Sequence, residues 1–282
     1  MIYMEYPNPP IQILRDKKLF VFDMDGTIYR GGDIFDYAIR FIHHLRADGK
    51  RVLFCTNNSS TSTETYVENL TRMGFAPTAD EIMSSADATE AYLKTCHPGA
   101  LIYLIGTEQM HKQFRERGLR LATGREEAVD VVVSSLDTEL TYQKVKDGCR
   151  FIAAGATFLS THPDINCPTD YGFMPDSGAI AALIIASTGV TPRYLGKPSA
   201  EMMTLIEQKT GISRADACIF GDRLYTDIAL GTRNGAASVL VLTGEGTLDE
   251  VAATPDEDKP TFVFPTLDEV DRAMYGDARL AD

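Results

Sequence analysis

The sequence predicts an α/β fold in which parallel strands are covered by helices. Short apolar runs without alternation recur along the chain, beginning with Leu19–Phe22 (LFVF) and Arg51–Cys55 (RVLFC). Such runs fit strands buried on both faces. Segments with apolar residues at helical spacing lie between them, so strand and helix alternate as parallel sheets require. Small polar and acidic residues gather directly after several strands, which is where open α/β sheets bind ligands.

The 282 residues suffice for one large domain or two ordinary ones. A hydrophobic share of 44% and a charged share of 24% mark an ordinary globular chain with a sizeable core. The formal net charge of -13 argues against a nucleic-acid groove or an anionic membrane surface as partner. It leaves room for a phosphate ligand, because one local cation outweighs a diffuse negative surface. The five cysteines are widely spaced with no CxxC, which fits reduced thiols better than a disulfide framework or a zinc site. No apolar run approaches the ~20 residues of a membrane span. The N-terminus lacks the charged start and apolar core of a signal peptide. A soluble cytoplasmic protein is the expectation.

The first strand, Leu19–Phe22, stops at Asp23, and Met24, Asp25, Gly26 and Thr27 follow. Side chains repeat every two residues in extended backbone, so Asp23 and Asp25 lean toward one space. Like charges that close need an offsetting cation, and hard cations prefer carboxylate oxygens. An ordinary surface turn would use the same residue types.

The chain then reads in order. A helix is expected over 33–48, with Asp33 as N-cap, Phe35, Ala38, Ile42 and Leu45 inward, and Gly49 as stop. The strand Arg51–Cys55 ends in TNNSS (56–60), five small polar residues where helix capping needs only one. A helix with Tyr66, Leu70 and Met73 on one face follows. TADE at 78–81 has the capping-box pattern. A second strand–helix series runs from Pro77 to about Ser187. Its strands are Ala100–Ile105, Val129–Val133 and Thr157–Ser160, and its helices are expected over 86–95, 107–117, 141–154 and 177–187. A long loop, THPDINCPTDYGFMPDSG, precedes the last helix; loops of that length are usually functional or mobile. After Arg193 the first pattern resumes, with Tyr194–Leu195 leading into Gly196, Lys197, Pro198 and Ser199. Ala217–Phe220 is a strand ending in GDRLYTD, and a helix is expected over 226–234. Ser238–Leu242 and Thr261–Phe264 are further strands before a short C-terminal helix.

Four polar clusters therefore follow strands: Asp23 with Asp25, Thr56–Asn58, Lys197, and Asp222 with Asp227. With those strands side by side in one sheet, the clusters converge at one edge. Carboxylates, one lysine, hydroxyls and amides together suit a Mg2+ ion and a phosphate. Each match alone has an ordinary explanation, since a lone lysine is usually a solvated charge and an acidic turn often opens a helix. Their order and placement make coincidence improbable.

On these residues the chain resembles the haloacid dehalogenase-like (HAD) hydrolase superfamily. The matching pieces are DMDGT at 23–27, TNN at 56–58, Lys197 in GKPS, and GDRLYTD at 221–227. The resemblance extends to the NagD-like, p-nitrophenylphosphatase-like class IIA subgroup through TNNSS, THPD and PDSGA at 161–179, and LGKPS at 195–199. It runs from about Lys18 to the C-terminus.

The resemblance implies an α/β fold with a Rossmann-like HAD core of residues 1–81 and 188–282, and an inserted α/β C2-type cap of residues 82–187. It implies that Asp23 is the nucleophile forming an aspartyl-phosphate and that Asp25 is the general acid and then the base. Mg2+ would be held by Asp23, the main-chain carbonyl of Asp25, and Asp222, with Asp227 behind them orienting a metal-bound water or Lys197. Thr56, Asn57, Asn58 and Lys197 would bind the phosphoryl group. The loop candidates for substrate selection are His162, Asp164, Tyr171, Phe173 and Met174; His162 stands where relatives often carry Asn or Asp. The cap is the surface on which a homodimer is expected.

The implied activity is Mg2+-dependent hydrolysis of a small phosphomonoester, such as a nucleoside monophosphate or a sugar phosphate. Dehalogenation needs neither a second acid nor a metal, and Asp25 argues against it. The large cap suits a hydrolase better than a phosphomutase. The alternative from another class is a non-catalytic phosphometabolite-binding or regulatory protein that retains the fold. Loss of Asp23, Asp25 or Lys197 would favour it, and all three are present. Neither GxGxxG nor GxxxxGK(S/T) occurs, which disfavours a nucleotide-cofactor enzyme.

Overall fold

The structure is a computed structural model that describes residues 6–169 and 172–276. The chain divides into two compact units. One comprises Met1–Cys55, Val67–Ile82 and Ile206–Asp282, and the other Thr56–Tyr66 and Met83–Leu205.

The first unit is built on a six-stranded sheet. Its order is Phe262–Phe264, Ala237–Val241, Ala217–Gly221, Leu19–Phe22, Arg51–Thr56 and Ile82–Ser84. Leu19–Phe22 pairs in parallel with both Ala217–Gly221 and Arg51–Thr56. All four of its residues are buried, as its unbroken apolar run requires. Phe22 stacks on Phe220 of the neighbouring strand at 4.8 Å between ring centres. Phe41, from the helix Asp36–Ala47, meets Phe22 edge-on at 5.9 Å. Offset and edge contacts of this kind each add about 0.5–1.5 kcal/mol to the area they bury. The helix presents Ala38, Phe41, Ile42 and Leu45 to the core, at the spacing expected of it.

That helix begins later than the sequence predicts. Asp33 is not its N-cap. It pairs with Arg30 in a short antiparallel hairpin, Tyr29–Arg30 against Asp33–Ile34. The connection is Gly31–Gly32, with Gly31 at φ 57°, and a two-residue glycine loop matches the twist of a hairpin. The expected helix over 226–234 also differs. A π-helical turn, Leu224–Ile228, precedes a regular turn, Ala229–Thr232, and Ile228 N–H reaches Arg223 O at 3.1 Å.

The second unit holds a five-stranded sheet in the order Arg193–Tyr194, Thr157–Ser160, Val131–Ser134, Leu101–Ile105 and Arg120–Leu121, parallel throughout. Strand residues alternate between two apolar layers. Tyr103, Ile105 and Val132 pack with Phe151, Ile180 and Ile184. Ile102, Leu104, Val131 and Val133 pack with Leu93 and Phe114. Helices cover both faces, so both layers are apolar and the strands read as continuous runs.

Two expectations change here. Arg193–Tyr194 does not resume the first sheet; it pairs with Thr157–Ser160 at the edge of the second. Leu195 is buried beside Val131 and Leu159, which fixes that edge. Asp23, Thr56 and Asp222 thus end strands, or follow strands, of the first sheet, whereas Lys197 follows a strand of the second. The long loop is not structureless either: Asn166–Thr169 and Gly172–Pro175 form an antiparallel hairpin. Tyr171 lies outside the described residues. Among the described residues, no helix is long and apolar enough to cross a membrane. All five cysteines are free thiols.

Candidate active site

The predicted residues fall into two sets, one in each unit. In the first unit, Asp23 extends the central strand by one residue, its N–H reaching Phe220 O at 2.8 Å. The chain then turns sharply: Gly26 has φ 86° and its N–H bonds Tyr29 O at 2.7 Å. The Asp25 carboxylate accepts the Gly31 N–H at 3.2 Å and so ties the hairpin to the strand end.

Asp222, directly after Ala217–Gly221, and Asp227, on the π-helical turn, come to the same place as Asp23. One carboxylate oxygen from each of the three lies within 4.8 Å of the others. Asp222 Oδ2 accepts the Glu245 N–H at 2.8 Å, and Asp227 Oδ2 accepts the Arg223 N–H at 3.1 Å. Asp222 Oδ1 is buried and has no hydrogen-bond partner among the described residues. Burial first, then the charges of Asp23 and Asp227, push the Asp222 carboxyl well above the usual carboxylate range; the Glu245 N–H and Arg223 oppose this only in part.

Glycine makes the crowding possible. A Cβ on Gly26 would lie 2.5 Å from Asp222 Oδ2, and one on Gly244 would lie 1.9 Å from it. The loop after Ala237–Val241, with Gly244 and Glu245, is a part of the site that the sequence reading missed. Its available signal was a glycine pair, Gly244 and Gly246, directly after a buried strand.

In the second unit, the TNNSS residues divide their work. Thr56 Oγ1 accepts the Asn58 N–H at 3.1 Å, and Asn58 Oδ1 accepts the Ser60 N–H and hydroxyl at 2.9 and 2.7 Å. These side chains shape their own loop. Asn57 reaches further. Its Oδ1 accepts the Lys197 N–H at 2.8 Å, and its Nδ2 donates to Lys197 O and to Asp164 Oδ2, both at 3.1 Å. Both amide hydrogens are engaged, so the expected side-chain bond from Asn57 to a phosphate has no donor left. Lys197 is itself buried.

The loop candidates are also sorted. His162 is 0% exposed and Asp164 is buried as well. Phe173 is 64% exposed and Met174 is half-buried, both on the hairpin strand Gly172–Pro175. His162 lies between Asp164 and Asp176, and these three form a second set with ligand atoms within 4.8 Å.

Comparison with known proteins gives the family. A family model for haloacid dehalogenase-like hydrolases matches residues 20–120, and a second, HAD-hydrolase-like model matches residues 194–270. An acid sugar phosphatase of Staphylococcus aureus is 35% identical over 256 residues, covering 91% of this chain and 97% of the relative. The chain belongs to the haloacid dehalogenase-like hydrolase family. Among solved structures of that family, a 4-nitrophenylphosphatase from Thermotoga maritima superposes with a TM-score of 0.87 at 37% identity, covering 93% of this chain and 99% of that one. A glycerol phosphate phosphatase from Mycobacterium tuberculosis, solved in complex with calcium, superposes with a TM-score of 0.85 at 28% identity, covering 92% and 76%. The mixed α/β architecture and its parallel sheets are those of the family.

Proposed function

We propose that this chain is a divalent-metal-dependent phosphatase that hydrolyses small phosphomonoesters through an aspartyl-phosphate. The observation that carries the reading is the trio Asp23, Asp222 and Asp227, the last two buried, with one oxygen of Asp222 unmatched among the described residues. An all-oxygen set of this charge fits a hard cation such as Mg2+. Asp23 and Asp222, with the main-chain carbonyl of Asp25, would hold it. Bound there, it supplies positive charge that offsets the carboxylates and the charge developing on the phosphoryl oxygens.

Asp23 attacks phosphorus, and the bond from phosphorus to the ester oxygen breaks. Asp25 gives its proton to the departing oxygen. Water then attacks the aspartyl-phosphate, Asp25 takes its proton, and inorganic phosphate leaves with Asp23 restored. Asp227, anchored to the Arg223 N–H, keeps its neighbours oriented. Lys197 neutralises the phosphoryl group. Asn57 contributes by fixing the Lys197 main chain rather than by a side-chain bond to phosphate. In this reading residues 82–187 are the cap, and Phe173 and Met174 are its candidates for selecting the substrate. Sugar phosphates, glycerol phosphate and aryl phosphates are the first substrates to try, given the names of the relatives.

The test is hydrolysis of p-nitrophenyl phosphate with and without Mg2+. Activity should require the metal, and Asp23→Asn should lower kcat by at least about 10³-fold, as loss of a covalent nucleophile does. An unchanged rate in that variant would reject the nucleophile.

A further inference from the structure

Asn57 holds Lys197 only if its amide faces the right way. Flipped by 180°, its oxygen would meet the Asp164 carboxylate and its NH2 group would meet the Lys197 N–H. The Lys197 N–H and C=O favour the observed face, and Asp164 Oδ2, accepting from the same NH2 group, adds to that preference. Asp164 is in turn clasped. The oxygen that accepts from Asn57, Oδ2, lies 3.3 Å from His162 Nδ1. The other ring nitrogen, Nε2, lies 3.4 Å from Asp176 Oδ1. Asp176 Oδ1 also caps the helix Ser177–Thr188 by accepting the Ser177 N–H at 2.6 Å.

The helix start and the loop are pressed together. Gly178 N–H bonds Asp164 O at 2.8 Å, and a Cβ on Gly178 would lie 2.1 Å from Pro163 O. A buried row thus runs from the helix start through Asp176, His162, Asp164 and Asn57 to the Lys197 main chain. Every side chain in it is buried. Each ring nitrogen of the imidazole faces one carboxylate, at 3.3 and 3.4 Å, without a hydrogen bond, so His162 keeps the two apart and packed in place.

We propose that His162 and Asp164 are positioning residues that lock the Asn57 amide and, through it, the main chain that carries Lys197. This rests on the reading of Lys197 as a phosphate-binding group. The row reaches from a rigid helix start to the segment holding that charge, and each link leaves the next with one orientation. Loss of a link gives the Lys197 segment a second arrangement, which weakens phosphate binding more than it weakens the fold.

The experiment measures kcat and KM for p-nitrophenyl phosphate, Ki for inorganic phosphate, and the thermal midpoint. The proteins are the wild type, Lys197→Met, His162→Gln, Asp164→Asn, Asn57→Ala and the His162→Gln/Asn57→Ala pair. Asp164→Asn keeps the shape of the side chain and removes only the one-way acceptor, so it serves if His162→Gln folds poorly. Both single variants are expected to raise KM and phosphate Ki together by about tenfold, the scale of one lost charge-assisted hydrogen bond. His162→Gln should add nothing once Asn57 is already alanine. A lowered thermal midpoint with unchanged KM and Ki would overturn the proposal, as would losses that multiply in the double variant. Unchanged KM, Ki and kcat in Lys197→Met would instead reject the reading of Lys197.

Discussion

The two polar centres of this molecule are built on opposite principles. In the first unit, Asp23, Asp222 and Asp227 bring like charges together, and backbone N–H groups offset only part of the repulsion. In the second unit, Asp164 accepts from Asn57, and the His162 ring lies between the Asp164 and Asp176 carboxylates at 3.3 and 3.4 Å. Among the described residues, Asp222 Oδ1 lacks a hydrogen-bond partner in the first centre, and both ring nitrogens of His162 lack one in the second. Like charges gathered at one place give a field that can act on a ligand, whereas an imidazole set between two carboxylates serves to hold shape.

Substitutions should separate the two centres by sign. Asp222→Asn is expected to lower Mg2+-dependent turnover by roughly 10³-fold while raising the thermal midpoint of the metal-free protein, since it removes a buried like charge. Activity and stability then move in opposite directions, which paired kinetic and melting measurements would show. A fall in both would mean that Asp222 is structural. The next effect in size is Gly244→Ala. Its methyl would occupy space 1.9 Å from Asp222 Oδ2, so the loop or the carboxylate must move. A loss of about 10- to 100-fold in kcat at fixed Mg2+, partly recovered at higher Mg2+, is expected from a displaced ligand.

The pH response comes next. The Asp222 carboxyl is raised in the folded protein, so the folded state holds its proton to higher pH than the unfolded chain does. Below the usual carboxylate range both states are protonated and this group has no effect. As pH rises through that range toward the raised value, the metal-free protein loses stability. Mg2+ competes with that proton, so the stabilisation it gives should grow from pH 5 to pH 8. At a hundredfold excess over its dissociation constant it reaches about 2.7 kcal/mol. Melting curves at both pH values check this, and a larger metal effect at pH 5 would contradict it. The smallest change is Asp176→Asn, at the far end of the clasp. It should cost about 1 kcal/mol of stability through the helix cap and leave the carboxylate trio untouched, so metal affinity measured by calorimetry should stay at the wild-type value.

Most of the framework was legible in the sequence because its causes are local. The apolar run before Asp23, the Thr78–Glu81 capping box and the inward faces of the helices follow from neighbours a few residues apart. The Asp33 hairpin was also readable, since Gly31–Gly32 is a hairpin signal, but the apolar spacing that starts at Phe35 outweighed it. Strand membership was harder. Tyr194 and Leu195 look like any short apolar pair, and only packing against Val131 and Leu159 decides their sheet.

The trio was half visible. Asp23 and Asp222 end apolar runs, whereas the crowding that makes them a cation site depends on Gly26 and Gly244, which mean little in isolation. The role of Asn57 was not readable. Its partners lie 107 and 140 residues away, and no spacing rule links an amide to a main chain at that distance.

The π-helical turn at Leu224–Ile228 puts an unusual constraint on this chain. It fits one more residue between Arg223 and Ile228 than a regular helix would, and Asp227 faces the trio because of it. A regular helix turns about 100° per residue. Deleting one residue between Asp222 and Asp227 would leave a better helix with the carboxylate swung away from its neighbours. Along these five positions the count of residues matters as much as their identity, and a single-codon deletion is expected to cost the trio one of its carboxylates.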